Sequence, residues 1–294
     1  MGPRNAATQF LGRNTEAVRF EVTLYGSLAA TGKGHMTDQA ILEVLGEERT
    51  TIVWEPKVFL PFHPNGMKFR AFNERNERLT EWTVYSVGGG ALAEEGQAPI
   101  EHKMVYNMNT ASDILAWCIS TGKSYWEYVE ECEGPEIWDY LREVWHTMKS
   151  AVERGLEQEG VLPGPLALRR KAANYYVRAE GYQQSMRTRG LLFAYALAVS
   201  EENAAGGKIV TAPTCGSCGV LPAVLYHLYK SRGFSEQRIL RALATAGLFG
   251  NIVKTNASIS GAEVGCQGEV GVACAMAAAA AAQLFGGMPS QIEY

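Results

Sequence analysis

Val18-Arg-Phe-Glu-Val-Thr-Leu-Tyr25 alternates with a period of two, placing Val18, Phe20, Val22 and Leu24 on one face. This is the pattern of a half-buried strand, and Gly26 ends it. Further along, Ile137, Leu141, Val144, Trp145, Met148 and Val152 recur at i, i+3/i+4, the stripe of an amphipathic helix. The period changes after about residue 105, so the chain reads as α+β with an α/β unit over 1–105 and a helical unit over 106–294.

Around the first stretch, Thr37 or Asp38 caps a short helix that runs through Val44 and stops at Gly46. Thr51 to Trp54 is a short strand. Met67–Phe72 and Leu79–Val87 form a hairpin across Asn73-Glu74-Arg75-Asn76, and Gly88-Gly89-Gly90 closes the segment. In the second part, Asn109 or Thr110 starts a helix through Ser120, and Ser124 and Pro135 open two more. Gly160-Val-Leu-Pro-Gly-Pro165 reads as an extended connector, followed by helices around 185–203, 220–231, 235–250 and 263–285. The only low-complexity tract, Ala277 to Ala282, has side chains small enough for close helix packing.

Composition narrows the function classes. The chain has 294 residues, 47% hydrophobic and 20% charged, with net charge −4, which excludes a disordered, collagen-like or disulfide-scaffold protein. No unbroken apolar run reaches the roughly 18 residues of a membrane span; the nearest, Val272 to Phe285, contains Gln283. The first residues lack a signal-peptide pattern, and the six cysteines read as free thiols or ligands in a reducing cytoplasm. Residues 1–160 carry 15 basic and 24 acidic side chains; residues 161–294 carry 12 and 7. That distribution lacks the dense basic face of a nucleic-acid protein and is compatible with a small anionic substrate in the back half.

Several motifs fail. Thr31-Gly32-Lys33-Gly34 has Ser27 where a phosphate loop needs its first Gly and lacks the Ser/Thr after Lys; Gly122-Lys123-Ser124 has Trp117 at the corresponding place. No Gly-x-Gly-x-x-Gly follows a strand, and no Ser-x-Lys-x-Arg run offers a Schiff-base lysine for pyridoxal phosphate. Cys215-Gly-Ser-Cys218 has the spacing of a redox or zinc pair but no second ligating pair to complete a zinc site.

Two motifs hold. In Gly206-Gly-Lys-Ile-Val-Thr-Ala-Pro-Thr-Cys-Gly-Ser-Cys-Gly219, Thr211, Thr214 and Ser217 supply hydroxyls, while Gly216 and Gly219 let backbone N–H groups turn toward a ligand. A helix follows from Val220, so its N-terminal dipole faces the same spot, as at a carboxylate or phosphate site. In Asn256-Ala-Ser-Ile-Ser-Gly-Ala-Glu-Val-Gly-Cys-Gln-Gly-Glu269, small and polar residues surround one cysteine just before a helix of small residues. A lone cysteine is usually a buried small hydrophobe, but glycines and a carboxylate around the thiol favour an accessible ligand.

These two motifs resemble the iron–sulfur L-serine dehydratases of bacteria, as do Leu24-Tyr-Gly-Ser-Leu28, Thr31-Gly-Lys-Gly-His35 with Thr37-Asp38, Tyr85-Ser-Val-Gly-Gly-Gly90 and Glu201-Glu-Asn-Ala-Ala-Gly-Gly207. The likeness runs over essentially the whole chain. It implies an α/β domain similar to the allosteric substrate-binding domain of some phosphoglycerate dehydrogenases, joined to a helical catalytic domain. It also implies a cytoplasmic homodimer that acts on L-serine without pyridoxal phosphate, nucleic acid or membrane. The family holds a [4Fe-4S] cluster on three cysteines, leaving one iron open to substrate. Cys266 aligns with the first ligand; the other two lie further on, in Leu-Thr-Cys-Asp-Pro-type and Pro-Cys-Ile-Glu-Arg-Asn-type motifs beyond Tyr294. A Ser-Ser-His-Thr stretch of the family also precedes the position of Met1. The expectation is therefore a chain cut at both ends, which does not assemble a four-iron centre by itself.

On this resemblance the reaction is a Lewis-acid β-elimination giving pyruvate and ammonia. The 211–219 loop fixes the substrate carboxylate, through Thr211, Thr214, Gly216, Ser217 and Gly219. His35 is a candidate acid/base facing that loop, and Asn256, Ser258, Ser260 and Glu263 orient the substrate or support Cys266. Cys215 and Cys218 are expected to contribute backbone N–H groups only. The competing expectations are a cluster-dependent hydratase of another hydroxy acid, and an inactive fragment or serine-sensing module.

Overall fold

A computed structural model describes residues 1–96, 105–164 and 166–294. The chain forms two compact units, Met1–Lys103 and Met104–Tyr294. The expected boundary at 105/106 directly follows residues 97–104, and these, like Pro165 of the expected connector, lie outside the described residues.

The first unit is built on a sheet of β1 (Arg19–Tyr25), β2 (Thr50–Glu55), β3 (Gly66–Phe72), β4 (Arg78–Ser86) and β5 (Leu92–Ala93), in the order β2-β1-β3-β4-β5. β1 and β2 are parallel, joined by a crossover through α2 (Gly26–Thr31) and α3 (Thr37–Leu45), and the other pairings are antiparallel. Register puts Val22 opposite Phe69 and Leu24 opposite Met67. With Phe20, Ala71 and Val84 these make one apolar face, fully buried beside Ile41 and Leu45 of α3 and Ala6, Ala7 and Phe10 of α1 (Gly2–Arg13). The opposite face is polar. Arg70 stands across from Glu21 and Glu81 and pairs with both, at 2.6 and 2.8 Å. Its hydrogen bond is the main reason the Glu81 carboxyl titrates below its ordinary range.

The structure departs from the sequence expectations in definite places. α1, α2 and β5 are additional, and the sheet continues past Gly88-Gly89-Gly90. α1 buries Gly2, Pro3, Ala6, Ala7 and Phe10, and with one large side chain among them the stripe is too sparse to show as a period. Neither Thr37 nor Asp38 caps α3: Met36 takes the cap in left-handed backbone (φ 55°), Thr37 is the first helical residue, and the Asp38 carboxylate accepts the Gln39 N–H.

The second unit is helical in all its regular elements among the described residues. α4 (Ala111–Thr121) is capped by Thr110, whose hydroxyl accepts the Asp113 N–H, and α5 (Tyr125–Glu133) opens with a Ser124/Glu127 capping box. α6 (Ile137–Glu157) turns Leu141, Trp145, Met148 and Val152 into the core. α7 (Ala172–Glu180), unexpected from the sequence, buries only Ala172 and Ala179. α8 (Gln184–Ala204), α9 (Val220–Arg232), α10 (Glu236–Asn256) and α11 (Gly261–Leu284) complete the bundle, with the short α12 (Pro289–Glu293) at its end. α10 runs to Asn256, past the expected stop near residue 250, because Gly247 and Gly250 lie inside the helix and Gly250 is where Met276 of α11 packs close. By length and composition α11 is long and apolar enough to cross a membrane, although no unbroken apolar run is; its Val272, Ala273, Met276, Ala277, Ala280 and Leu284 are buried within the protein.

The end of α8 anchors the bundle. Glu201 and Glu202 are both buried, at 5% and 6% exposure. Glu201 accepts the N–H groups of Lys171 (2.6 Å) and Ala172 (3.3 Å) at the start of α7. Glu202 pairs with Arg154 of α6 at 2.9 Å and with Arg170 at 3.5 Å. Glu201→Ala is expected to lower unfolding free energy by about 2–3 kcal/mol, because two backbone donors lose their acceptor. Glu201→Gln, which keeps an acceptor oxygen, should lose less; chemical denaturation followed by circular dichroism checks both.

Candidate active site

The loop between α8 and α9 is held from behind. Asn203 Nδ2, at the end of α8, donates to the Cys215 carbonyl at 3.1 Å. The Thr214 and Ser217 hydroxyls are buried and hydrogen-bond to each other at 3.1 Å, and Ser217 Oγ donates to the Ala212 carbonyl at 3.3 Å. These hydroxyls shape the turn from inside. Cys218 N–H donates to the Cys215 carbonyl and Val220 N–H to that of Ser217, whereas the N–H groups of Gly216, Ser217 and Gly219 have no backbone acceptor among the described residues. Gly216 is exposed, Thr211 is partly exposed and Gly219 is buried. A Cβ at Gly219 would lie 2.5 Å from the Ala196 carbonyl oxygen, so only glycine lets α9 begin against α8.

The second loop joins α10 to α11. Asn256, the last residue of α10, spends its Nδ2 on the carbonyls of Asn109 (2.6 Å) and Ile252 (2.8 Å). Ser258 Oγ bonds the Glu263 carboxylate and accepts the Ser260 N–H at 3.1 Å, and buried Ser260 stands at the α11 N-cap. Gly265 interrupts α11 with φ 71° and ψ 172°, a backbone region open essentially to glycine alone. Cys266 therefore opens a fresh helical stretch, and it is exposed.

Glu269, one turn beyond Cys266, joins the two loops. A Cβ on Gly216 would come within 2.8 Å of its Oε2, and a Cβ on Gly261 within 2.7 Å of its carboxylate carbon. The carboxylate thus rests against the bare Cα atoms of two glycines, one from each motif. No hydrogen bond or ion pair involves it among the described residues. In the sequence Glu269 closes the second motif without a role of its own; its signal there is an acidic residue one helical turn after the cysteine.

His35 belongs to the first unit. It lies in the turn between α2 and α3, exposed, its backbone N–H bonded to the Thr31 carbonyl at 3.1 Å. Among the described residues no three His, Cys, Asp or Glu side chains converge as a metal site. The described residues thus fit one ligand of a [4Fe-4S] cluster, through the exposed Cys266 thiol, and not a complete ligand set.

The cysteines divide by environment. Burial pushes the Cys218 thiol up to about 12 and the Cys118 thiol to about 11, while Cys266 and Cys274 are exposed. At pH 8 a thiol of pKa 12 is only ~10⁻⁴ ionised, and the thiolate is the reactive form. Iodoacetamide on the native protein is expected to label Cys266 and Cys274 first. Cys118 and Cys218 should react only after denaturation, as read by peptide mass spectrometry.

Comparison with known proteins completes the picture. The family model described as serine dehydratase alpha chain matches residues 68–294, and that described as serine dehydratase beta chain matches residues 1–51. The L-serine dehydratase of Streptomyces coelicolor is 37% identical over 100% of this chain and 76% of its own length. The L-serine dehydratase of Haemophilus influenzae and L-serine dehydratase 1 of Escherichia coli are 38% and 39% identical, each over 99% of this chain and 76% of their own length. The α+β architecture, the two loops and these matches together make the chain a member of the serine dehydratase family, an enzyme of the lyase class.

Proposed function

We propose that the protein removes water from L-serine by β-elimination, giving pyruvate and ammonia. The observation that carries this reading is the set of unspent N–H groups at Gly216, Ser217 and Gly219, tied through Glu269 to the stretch that exposes Cys266. Such donors at a helix start hold a carboxylate without reorganisation. The substrate carboxylate binds there, and the Thr211 hydroxyl is the further donor expected from the sequence. Thr214 and Ser217 act by bracing the turn through their mutual hydrogen bond, and Asn256, Ser258 and Ser260 by fixing the approach to Cys266.

The chemistry then needs a base at the α-carbon. In this reading a general base takes the α-proton, the role for which His35 is the candidate from the sequence; the electron pair left behind forms the Cα–Cβ double bond as hydroxide departs. The aminoacrylate so formed tautomerises to an imine, and one water molecule hydrolyses that imine to pyruvate and ammonia. Cys266 would supply one thiolate to a [4Fe-4S] cluster, which when bound would lend Lewis acidity to the departure of the hydroxyl, and pyridoxal phosphate takes no part. Residues 1–105 act as a beta-type domain and residues 106–294 as an alpha-type domain of a cytoplasmic homodimer, with no nucleic-acid or membrane partner.

Protein purified anaerobically from its source is expected to be brown, to release equal amounts of pyruvate and ammonia from L-serine, and to ignore added pyridoxal phosphate. Turnover by an iron-free preparation that depends on pyridoxal phosphate would overturn the proposal. In the same preparation Cys266→Ser should lose iron, sulfide and activity together. The double variant Cys215→Ala, Cys218→Ala should retain the iron and keep activity within about tenfold, or roughly 1.4 kcal/mol in barrier.

A further inference from the structure

We infer that the Glu269 carboxylate receives the α-ammonium group of the substrate and so selects amino acids over hydroxy acids. The inference rests on the function proposed above and assigns a residue to the half of the substrate that reading leaves unbound. Thr211, Thr214, Gly216, Ser217, Gly219, Asn256, Ser258 and Ser260 are all neutral. They can hold a carboxylate or a hydroxyl, but none offers a countercharge to an ammonium ion. The Glu263 carboxylate is taken by Ser258. Glu269 is the carboxylate between the two loops, and it has no hydrogen bond or ion pair among the described residues.

The stereochemistry of an α-amino acid makes this placement specific. Carboxylate and ammonium sit on one carbon, so a site for both must set hydrogen-bond donors and an anion side by side. Gly216 does this within one residue. Its N–H is unspent, and the space a side chain would fill at its Cα lies 2.8 Å from Glu269 Oε2. Gly261 lets the same carboxylate settle from the other side. Glu269 is also one helical turn from Cys266, on the same side of the helix, so a substrate held there has its β-carbon within reach of whatever Cys266 binds. A half-buried carboxylate gains most from a charged donor that is otherwise absent.

Binding to the cluster-free chain separates this role from a structural one. Isothermal titration calorimetry with L-serine and with glycerate, in which a hydroxyl replaces the ammonium, is run on wild type, Glu269→Gln, Glu269→Asp and Gly261→Ala. Glu269→Gln is expected to weaken L-serine binding at least about tenfold and to leave glycerate within about twofold, a differential of roughly 1.4 kcal/mol. Gly261→Ala, whose methyl displaces the carboxylate without touching the 211–219 loop, should shift selectivity the same way. Should Glu269→Gln fail to fold by circular dichroism, Glu269→Asp and Gly261→Ala decide: Asp keeps the charge and should retain part of the preference for L-serine. Equal loss of both ligands, or no loss of either, overturns the assignment while leaving the proposed reaction intact. Wild-type protein that binds glycerate but not L-serine overturns it as well. Wild type that binds neither ligand sinks the functional proposal itself, and the assignment with it.

Discussion

Two consecutive buried carboxylates at the end of α8 fix the helical unit, because adjacent negative charges inside a protein demand separate and complete partners. Glu201 solves its half with backbone: the Lys171 and Ala172 N–H groups are orphan donors at the start of α7, and the positive end of that helix faces the charge. Glu202 solves its half with side chains, pairing closely with Arg154 and more loosely with Arg170. Arg154 also reaches the Lys208 carbonyl at 2.7 Å, where the chain runs toward the 211–219 loop. The next residue, Asn203, donates to the Cys215 carbonyl inside that loop. Three successive side chains therefore tie α6, the approach to α7 and the ligand loop to one point.

That anchoring explains how an irregular loop can keep three N–H groups unspent. A loop with free donors gains by folding back on itself to satisfy them. Here the carbonyl of Cys215 is taken by Asn203, and the Thr214 and Ser217 hydroxyls are closed on each other and on the Ala212 carbonyl. With those acceptors engaged, the N–H groups of Gly216, Ser217 and Gly219 have no backbone partner among the described residues. The hydroxyls that look like ligand groups in the sequence thus serve the backbone, and the glycines that look like mere turn residues carry the donors.

The sequence made the large apolar patterns legible and the small ones illegible. Phe20, Val22 and Leu24 announced β1 because each is big enough to set a period, and Leu141, Trp145, Met148 and Val152 did the same for α6. α1 and α7 leave no legible pattern because Ala6, Ala7, Ala172 and Ala179 bury completely while barely registering as apolar. α10 looked shorter than it is because Gly250 reads as a stop, while its lack of a side chain serves packing against Met276. At the site, the exposed cysteine and its flanking glycines were readable as a motif. The junction between the two motifs was not, since Gly216 and Gly261 are distant in sequence and their shared contact with Glu269 exists only in the fold.

The same junction shows why glycine recurs in both motifs for different physical reasons. At Gly265 the backbone itself is the reason: φ 71° with ψ 172° is a conformation that would strain any side chain. At Gly216 and Gly261 the cause is occupancy, because the volume of a Cβ is already filled by the Glu269 carboxylate. At Gly219 it is packing, since the Ala196 carbonyl of α8 stands where a methyl would go. Gly219 and Gly265 thus secure the scaffold, fixing where α9 begins and where Cys266 emerges. Gly216 and Gly261 secure the chemistry, allowing a charged group to stand beside uncharged donors without a side chain between them. A site for a zwitterion needs both kinds at once: rigid elements that bring two loops together, and bare backbone at the point where opposite charges of one small molecule must be read side by side.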